Sequence, residues 1–90
     1  MSEVIITIKI MPDSLETNLK EIEKEAVKEI EIFGGRIGKI EQEPVAFGIK
    51  SLNIYFFLDE NKSNLDPLEE KLREINNVQS AEVIDVRRAM

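Results

Sequence analysis

The sequence predicts an α+β fold in which two helices cover one face of a four-stranded antiparallel sheet. Three observations support this prediction. Apolar residues alternate in four segments, two further segments carry helix signals, and the order along the chain is strand, helix, strand, strand, helix, strand. That order is typical of the ferredoxin-like plait (βαββαβ). Because the chain has 90 residues, we expect residues 1–90 to form a single domain.

The first predicted strand, Glu3 to Met11, carries β-branched residues at alternate positions, which indicates one buried face. Asp13 and Glu16 have the spacing of a reciprocal cap, so we expect the first helix to begin there. Gly34-Gly35 ends that helix, because glycine accepts the left-handed conformation of a C-cap. The predicted apolar stripe of the helix is Leu15, Leu19, Ile22, Ala26 and Ile30.

The middle of the chain predicts two strands. Arg36 to Ile40 is the weaker signal, and Pro44, which cannot donate to a ladder, marks a sheet edge, a bulge or a turn. From Ala46 the alternation is strong, which predicts a long strand. Its inward set is Leu52, Ile54, Phe56 and Leu58, and the residues expected on the uncovered face of the sheet are Ile5, Met11, Tyr55 and Phe57.

The last third of the chain predicts a helix, a strand and a free tail. Asp66 is an N-cap residue, and Pro67 follows it at the first helical position. The apolar stripe of this helix is Leu65, Leu68, Leu72 and Ile75. Asn76-Asn77 ends the helix, Val78 to Val86 forms the final strand, and residues 87–90 are left as a mobile tail.

Composition excludes several classes of function. The chain has no His and no Cys, which excludes Ser–His hydrolysis, thiolate chemistry and cysteine-based metal sites. The longest apolar run, Ile54 to Leu58, is too short to span a bilayer, and the N-terminus lacks a signal-peptide pattern, so we expect a cytoplasmic protein. A net charge of −6 opposes contact with nucleic acid or an anionic membrane and favours a protein partner.

Other uses of the plait lack the residues they need. RNA recognition requires aromatic residues on both central strands, and the first strand has none. An acyl-phosphate hydrolase requires an arginine in the first loop, where Pro12-Asp13-Ser14 is acidic. Carboxylate pairs such as Glu41 with Glu43 arise by chance among eighteen acids. We therefore expect no cofactor, no metal and no covalent catalysis.

Two features remain as candidates for function. Phe47 lies between Pro44 and Gly48. This pattern is consistent with an aromatic side chain that points into solvent, and nearly as consistent with a residue at the rim of the core. Arg87 and Arg88 place two guanidinium groups near the end of an acidic chain. A terminal basic pair can simply increase solubility, or it can be offered to an anionic site.

Three segments closely resemble the archaeal beta subunits of translation elongation factor 1. They are Ile8 to Pro12, Glu43 to Leu52 and Asp85 to Arg88, and together the similarity extends over nearly the whole chain. The catalytic domain of the eukaryotic beta subunits is more weakly similar, around Phe47 to Leu52. The resemblance implies the plait fold and a guanine-nucleotide exchange factor for the alpha-subunit GTPase, which brings aminoacyl-tRNA to the ribosome.

The resemblance also implies roles for individual residues. Phe47 matches an aromatic that packs on the GTPase away from the nucleotide, and Lys50 lies close to it in the sequence. Arg88, with Arg87 beside it, is the nearest match to a lysine that disturbs the Mg²⁺ site in eukaryotic relatives. The expected partner is the elongation factor 1 alpha GTPase, and the free chain is expected to be a monomer. The alternative is a regulatory plait that binds a small molecule, with its sheets paired in a dimer.

Overall fold

The computed structural model describes residues 2–62 and 64–89 and confirms the predicted order of elements. All four strands form one antiparallel sheet in the order β2-β3-β1-β4. The sheet and its two helices make up the predicted ferredoxin-like plait. The elements are β1 (Glu3–Pro12), α1 (Leu19–Phe33), β2 (Arg36–Ala46), β3 (Ile49–Asp59), α2 (Asp66–Arg73) and β4 (Val78–Arg88).

The core lies between the helices and one face of the sheet. The two central strands supply most of it, because every second residue of β1 and β3 points toward the helices. Burying a single large side chain such as Phe56, which has no exposed surface, stabilises the fold by about 2–3 kcal/mol. The buried core residues are Ile6, Ile8, Ile10, Ile22, Ala26, Ile30, Leu52, Ile54, Phe56, Leu58, Leu68, Leu72 and Ala81.

Helix α1 begins later than the sequence predicted. Its N-cap is Asn18, whose side chain accepts a hydrogen bond from the N–H two residues later at 3.0 Å. The predicted cap by Asp13 and Glu16 is wrong, because Asp13 instead accepts a hydrogen bond from the Thr17 hydroxyl at 3.0 Å within the preceding loop. Leu15 therefore precedes the helix and is 64% exposed rather than part of its buried stripe.

Two of the other helix boundaries agree more closely, whereas α2 ends at Arg73, before the predicted end at Asn76-Asn77. Gly34 ends α1 with a φ of 110°, the left-handed cap that the sequence predicted. In α2, Leu65 holds the N-cap position, so the cap predicted for Asp66 is wrong by one residue. The Asn64 side chain accepts the Asp66 N–H at 3.2 Å, while Pro67 lies in the first turn as predicted.

Strand β2 extends to Ala46, well beyond the predicted Ile40. It lies at one edge of the sheet, where a proline is tolerated because one side of the strand has no neighbour. The pairing with β3 shifts register between Pro44 and Ala46, so of the three predicted alternatives (edge, bulge or turn) the structure shows the edge position and a bulge.

Strand β4 continues through Arg87 and Arg88, so its predicted end at Val86 is wrong. The prediction of a mobile tail is also wrong for the described residues, because the Ala89 N–H still donates a hydrogen bond to a carbonyl of β1 at 2.9 Å. Met90, the last residue of that predicted tail, lies outside the described part of the chain. Backbone pairing with β1 therefore holds both arginines in the sheet.

We expect Gly35→Ala to destabilise the fold by about 1–3 kcal/mol through overpacking. A methyl group at this position would lie 2.6 Å from Ile30 Cγ2 and 2.9 Å from Phe56 Cδ2, and both of those side chains are buried. Thermal unfolding measures the effect. As a control, Ile32→Ala, at a position that is 73% exposed, should change stability by less than about 0.5 kcal/mol. An equal Tm for the two variants would contradict the prediction.

Candidate functional site

The structure places the predicted site residues at opposite ends of the sheet. Phe47 and Lys50 lie where β2 turns into β3, which we call the hairpin end. Arg87 and Arg88 lie at the other end, the arginine end, where β1 begins. Ile5 pairs with Phe57 on one side and with Arg87 on the other, so Arg87 and Phe57 lie at the same height in the sheet. Phe57 follows Phe47 by ten residues, and at about 3.3 Å per residue the two ends are therefore roughly 30 Å apart. The chain therefore presents two distinct surfaces.

A two-residue turn, Phe47-Gly48, joins β2 to β3. Its φ angles are 53° and 79°, and positive values at both positions are typical of a type I′ turn. Glycine adopts this conformation without strain, but a bulky side chain at positive φ is unusual and costs about 1–2 kcal/mol. The presence of Phe47 at this position therefore opposes stability and points to a role outside folding.

Phe47 is 94% exposed, so the sequence-based interpretation as a rim-of-core residue is wrong. Two further exposed apolar residues lie near it, Val45 beside the turn and Leu15 in the loop after β1. Leu15 faces Gly48 across a shallow groove, and Lys50 contributes to the lining of the same groove. The hairpin end thus offers an aromatic tip with apolar and cationic neighbours.

At the arginine end, both guanidinium groups are largely exposed. Arg87 Nε lies 2.8 Å from the Asp85 carboxylate, and the Arg88 guanidinium lies 3.9 Å from the Glu60 carboxylate. Exposed ion pairs of this kind contribute about 0–1 kcal/mol, so a stronger anionic partner can displace them. Arg87 and Arg88 are neighbours in a strand, so their side chains point to opposite faces of the sheet.

The sheet face away from the helices carries the four residues that the sequence placed there, Ile5, Met11, Tyr55 and Phe57, each of them partly buried. The burial arises partly within the sheet itself, because Lys39 Nζ lies 5.0 Å from the Tyr55 ring centroid. Desolvation raises the pKa of Tyr55, and hydrogen bonding to Glu41 together with its charge adds to the rise. The phenol is therefore neutral at physiological pH.

Arg36 is a member of the arginine end that the sequence did not reveal. Its guanidinium lies 3.0 Å from the Glu3 carboxylate and 4.4 Å from the Phe57 ring centroid. Because Arg36 and Phe57 meet only through β2–β3 pairing, nothing in the local sequence pattern signals the contact. Arg36 pairs with Phe57, and Arg87 pairs with Ile5, the residue opposite Phe57. Arg36 and Arg87 therefore lie in one row across the sheet and on the same face.

Within residues 2–62 and 64–89, no three His, Cys, Asp or Glu side chains are grouped so that they could hold a metal ion. The same ranges contain no helix with the length and apolar character to cross a membrane.

Solved structures share the fold. The ACT domain from the GTP pyrophosphokinase of Chlorobium tepidum superposes with a TM-score of 0.62 at 23% identity, covering 91% of this chain and 99% of that domain. The de novo designed protein Foldit4 also gives a TM-score of 0.62, at 22% identity, covering 98% of this chain and 97% of the design. At these identities the similarity shows the architecture alone.

Sequence comparison is more specific. Residues 5–89 match the EF-1 guanine nucleotide exchange domain. Elongation factor 1-beta of Methanosphaera stadtmanae is 39% identical over 90 residues, covering all of both chains. Elongation factor 1-beta of Methanococcus vannielii is 41% identical over 87 residues, covering 96% of this chain and 97% of that protein. On these matches, the chain belongs to the elongation factor 1-beta family and carries its guanine nucleotide exchange domain.

Proposed function

We propose that this protein promotes GDP release and GTP loading on the elongation factor 1 alpha GTPase. Family membership supports the exchange-factor role. The structural observation that supports the proposal is the pair of exposed surfaces. An aromatic tip and a group of arginines lie about 30 Å apart at the two ends of one sheet. Two such surfaces suit a protein that grips a partner in two places.

Exchange of this kind involves no covalent chemistry. The factor binds the nucleotide-free GTPase more tightly than the GDP-bound form, and by reciprocity the GTPase then binds GDP more weakly by the same ratio. The factor therefore needs surfaces that fit one state of the GTPase better than the other. We infer that residues 1–90 do this as one cytoplasmic domain that is monomeric when free, without a cofactor and without contact to nucleic acid or membrane.

The hairpin end acts as the anchor in this proposal. Phe47 enters an apolar pocket of the GTPase, with Lys50 close enough to meet an acidic rim. Because Phe47 is almost fully exposed in the free chain, its ring can lose nearly all of its contact with water on binding. Burial of an aromatic side chain contributes about 2–3 kcal/mol, which gives the complex an attachment point that does not involve the nucleotide.

The arginine end acts on the nucleotide site. The Mg²⁺ ion and the phosphates are the largest charges in a GTPase site, and a guanidinium brought close to the metal position competes with the ion. Arg88 is the proposed probe and Arg87 its neighbour. Their ion pairs with Glu60 and Asp85 are exposed and therefore weak, so either arginine can be redirected toward the GTPase.

The exchange function predicts faster release of fluorescent GDP from the cognate GTPase when this chain is added in substoichiometric amounts. The chain must turn over, because it binds and leaves without being consumed. A GTPase from an unrelated family serves as the control and should release GDP at its intrinsic rate. An unchanged release rate from the cognate GTPase would contradict the function.

The anchor role predicts that Phe47→Asn lowers the affinity for the GTPase without lowering the stability of the fold. Loss of the ring should weaken binding to the nucleotide-free GTPase by roughly 10- to 100-fold, measured by calorimetry. The Tm should stay the same or rise, because Asn-Gly suits a type I′ turn better than Phe-Gly. Ile32→Asn, which alters an exposed apolar residue of α1, is the matched control and should leave affinity unchanged. Wild-type affinity in Phe47→Asn would remove the anchor role.

The probe role predicts that Arg88→Ala slows GDP release by roughly tenfold or more, since a charged contact of about 1.5–3 kcal/mol is lost. The fold should be preserved, because the pair with Glu60 is long and exposed. Lys28→Ala, on the exposed side of α1, is the control for a lost surface cation. If Arg88→Ala promotes release at the wild-type rate and Arg87→Ala does not, the probe is Arg87.

A further inference from the structure

Strand β4 contains one residue more than the segment of β1 that it faces. Val83 lies opposite Ile8, but the preceding residue of β1, Thr7, lies opposite Asp85 rather than Ile84. Ile84 is therefore the extra residue of a β-bulge and is exposed. The bulge lies four residues before the end of the strand, so it affects only the segment that carries the two arginines.

The bulge determines the face on which each arginine lies. Arg87 is opposite Ile5, on the uncovered face of the sheet, and Arg88 is opposite Val4, on the face that the helices cover. The ion pairs agree, since Arg87 meets Asp85 two residues before it in the same strand. In a ladder continued from Val83 without the bulge, every later residue would move by one position, and the arginines would exchange faces.

A contact from α2 lies at the start of the bulge. The Glu69 carboxylate accepts the Val83 N–H at 2.7 Å, the short distance of a charge-assisted hydrogen bond. The Glu69 side chain is only 16% exposed, and the Arg73 guanidinium lies 3.6 Å from its second oxygen. The Val83 N–H is thus bonded to a helix side chain at the point where the ladder with β1 shifts register.

We propose that Glu69 is a positioning residue for the arginine end. By accepting the Val83 N–H it holds the bulge at Ile84, and the bulge assigns Arg87 to the uncovered face and Arg88 to the helix-covered face. The inference deepens the proposed function and rests on it only where it treats the arginines as contacts with the GTPase. The placement of the arginines can be measured in the free chain.

The test compares Glu69→Met, which removes the acceptor at similar size, with Glu69→Gln, whose amide oxygen can still accept the N–H. Glu70→Met is the control, because Glu70 is an exposed neighbour in the same helix. In Glu69→Met, hydrogen exchange of the Val83 amide should be roughly tenfold faster. Cross-strand NOEs should show Arg87 opposite Val4 as well as Ile5, and GDP release should be several-fold slower. Glu69→Gln and Glu70→Met should behave as wild type.

Deleting Ile84 gives a second, sharper readout. The deletion removes the extra residue, so the arginines should exchange faces, and Arg87→Ala rather than Arg88→Ala should then cause the larger loss of GDP release. A strand register in Glu69→Met equal to that in Glu70→Met would overturn the proposal, whether or not the deletion variant folds. If the register changes but even the wild-type chain fails to promote GDP release, the exchange function is wrong and the positioning role stands.

Discussion

Strand β1 determines where the rest of the structure lies, because it pairs with β3 on one side and β4 on the other. Its inward residues Ile6, Ile8 and Ile10 are fully buried beneath the helices, so a slip of one residue would turn all three away from the core. The same pairing places the turn between β2 and β3 at the hairpin end of the sheet and the last residues of β4 at the arginine end. The hydrophobic register thus also sets the separation of the two proposed contact surfaces.

The chemistry that the chain lacks fits the function proposed for it. Without His and Cys, the chain has no side chain that usually serves as a neutral-pH base or a thiolate nucleophile. A factor that works by differential binding needs neither, because its effect depends on the relative affinity for two states of a partner. Such a factor needs exposed side chains that can form new contacts with the partner. In this chain they are the aromatic residue of the strained turn and the weakly paired arginines.

The fold could be predicted because its signals are local. Alternation in β1 and β3 and the glycine that ends α1 depend on neighbours in sequence. The failures have other causes. Several polar residues before α1 could cap it, and Asp13 instead accepts a hydrogen bond from Thr17 in the loop while Asn18 caps the helix. Pairing with β1 keeps the polar end of β4 in the sheet. For the site, the sequence identified Phe47 but left its exposure open, and it carried no signal for Arg36 or for the Glu69 contact.

The distance between the two ends also separates their response to ionic strength. At physiological salt, charges are screened over about 8 Å, and roughly 30 Å of sheet lies between Phe47 and the arginines. The acidic or basic character of one end therefore has little influence on the potential at the other. Salt and long-range steering should act mainly on the arginine end, whereas the aromatic tip of the hairpin end depends on desolvation. Under the proposed function, desolvation would attach the protein to its partner and electrostatics would perturb the nucleotide site, so that sequence change could tune the two independently.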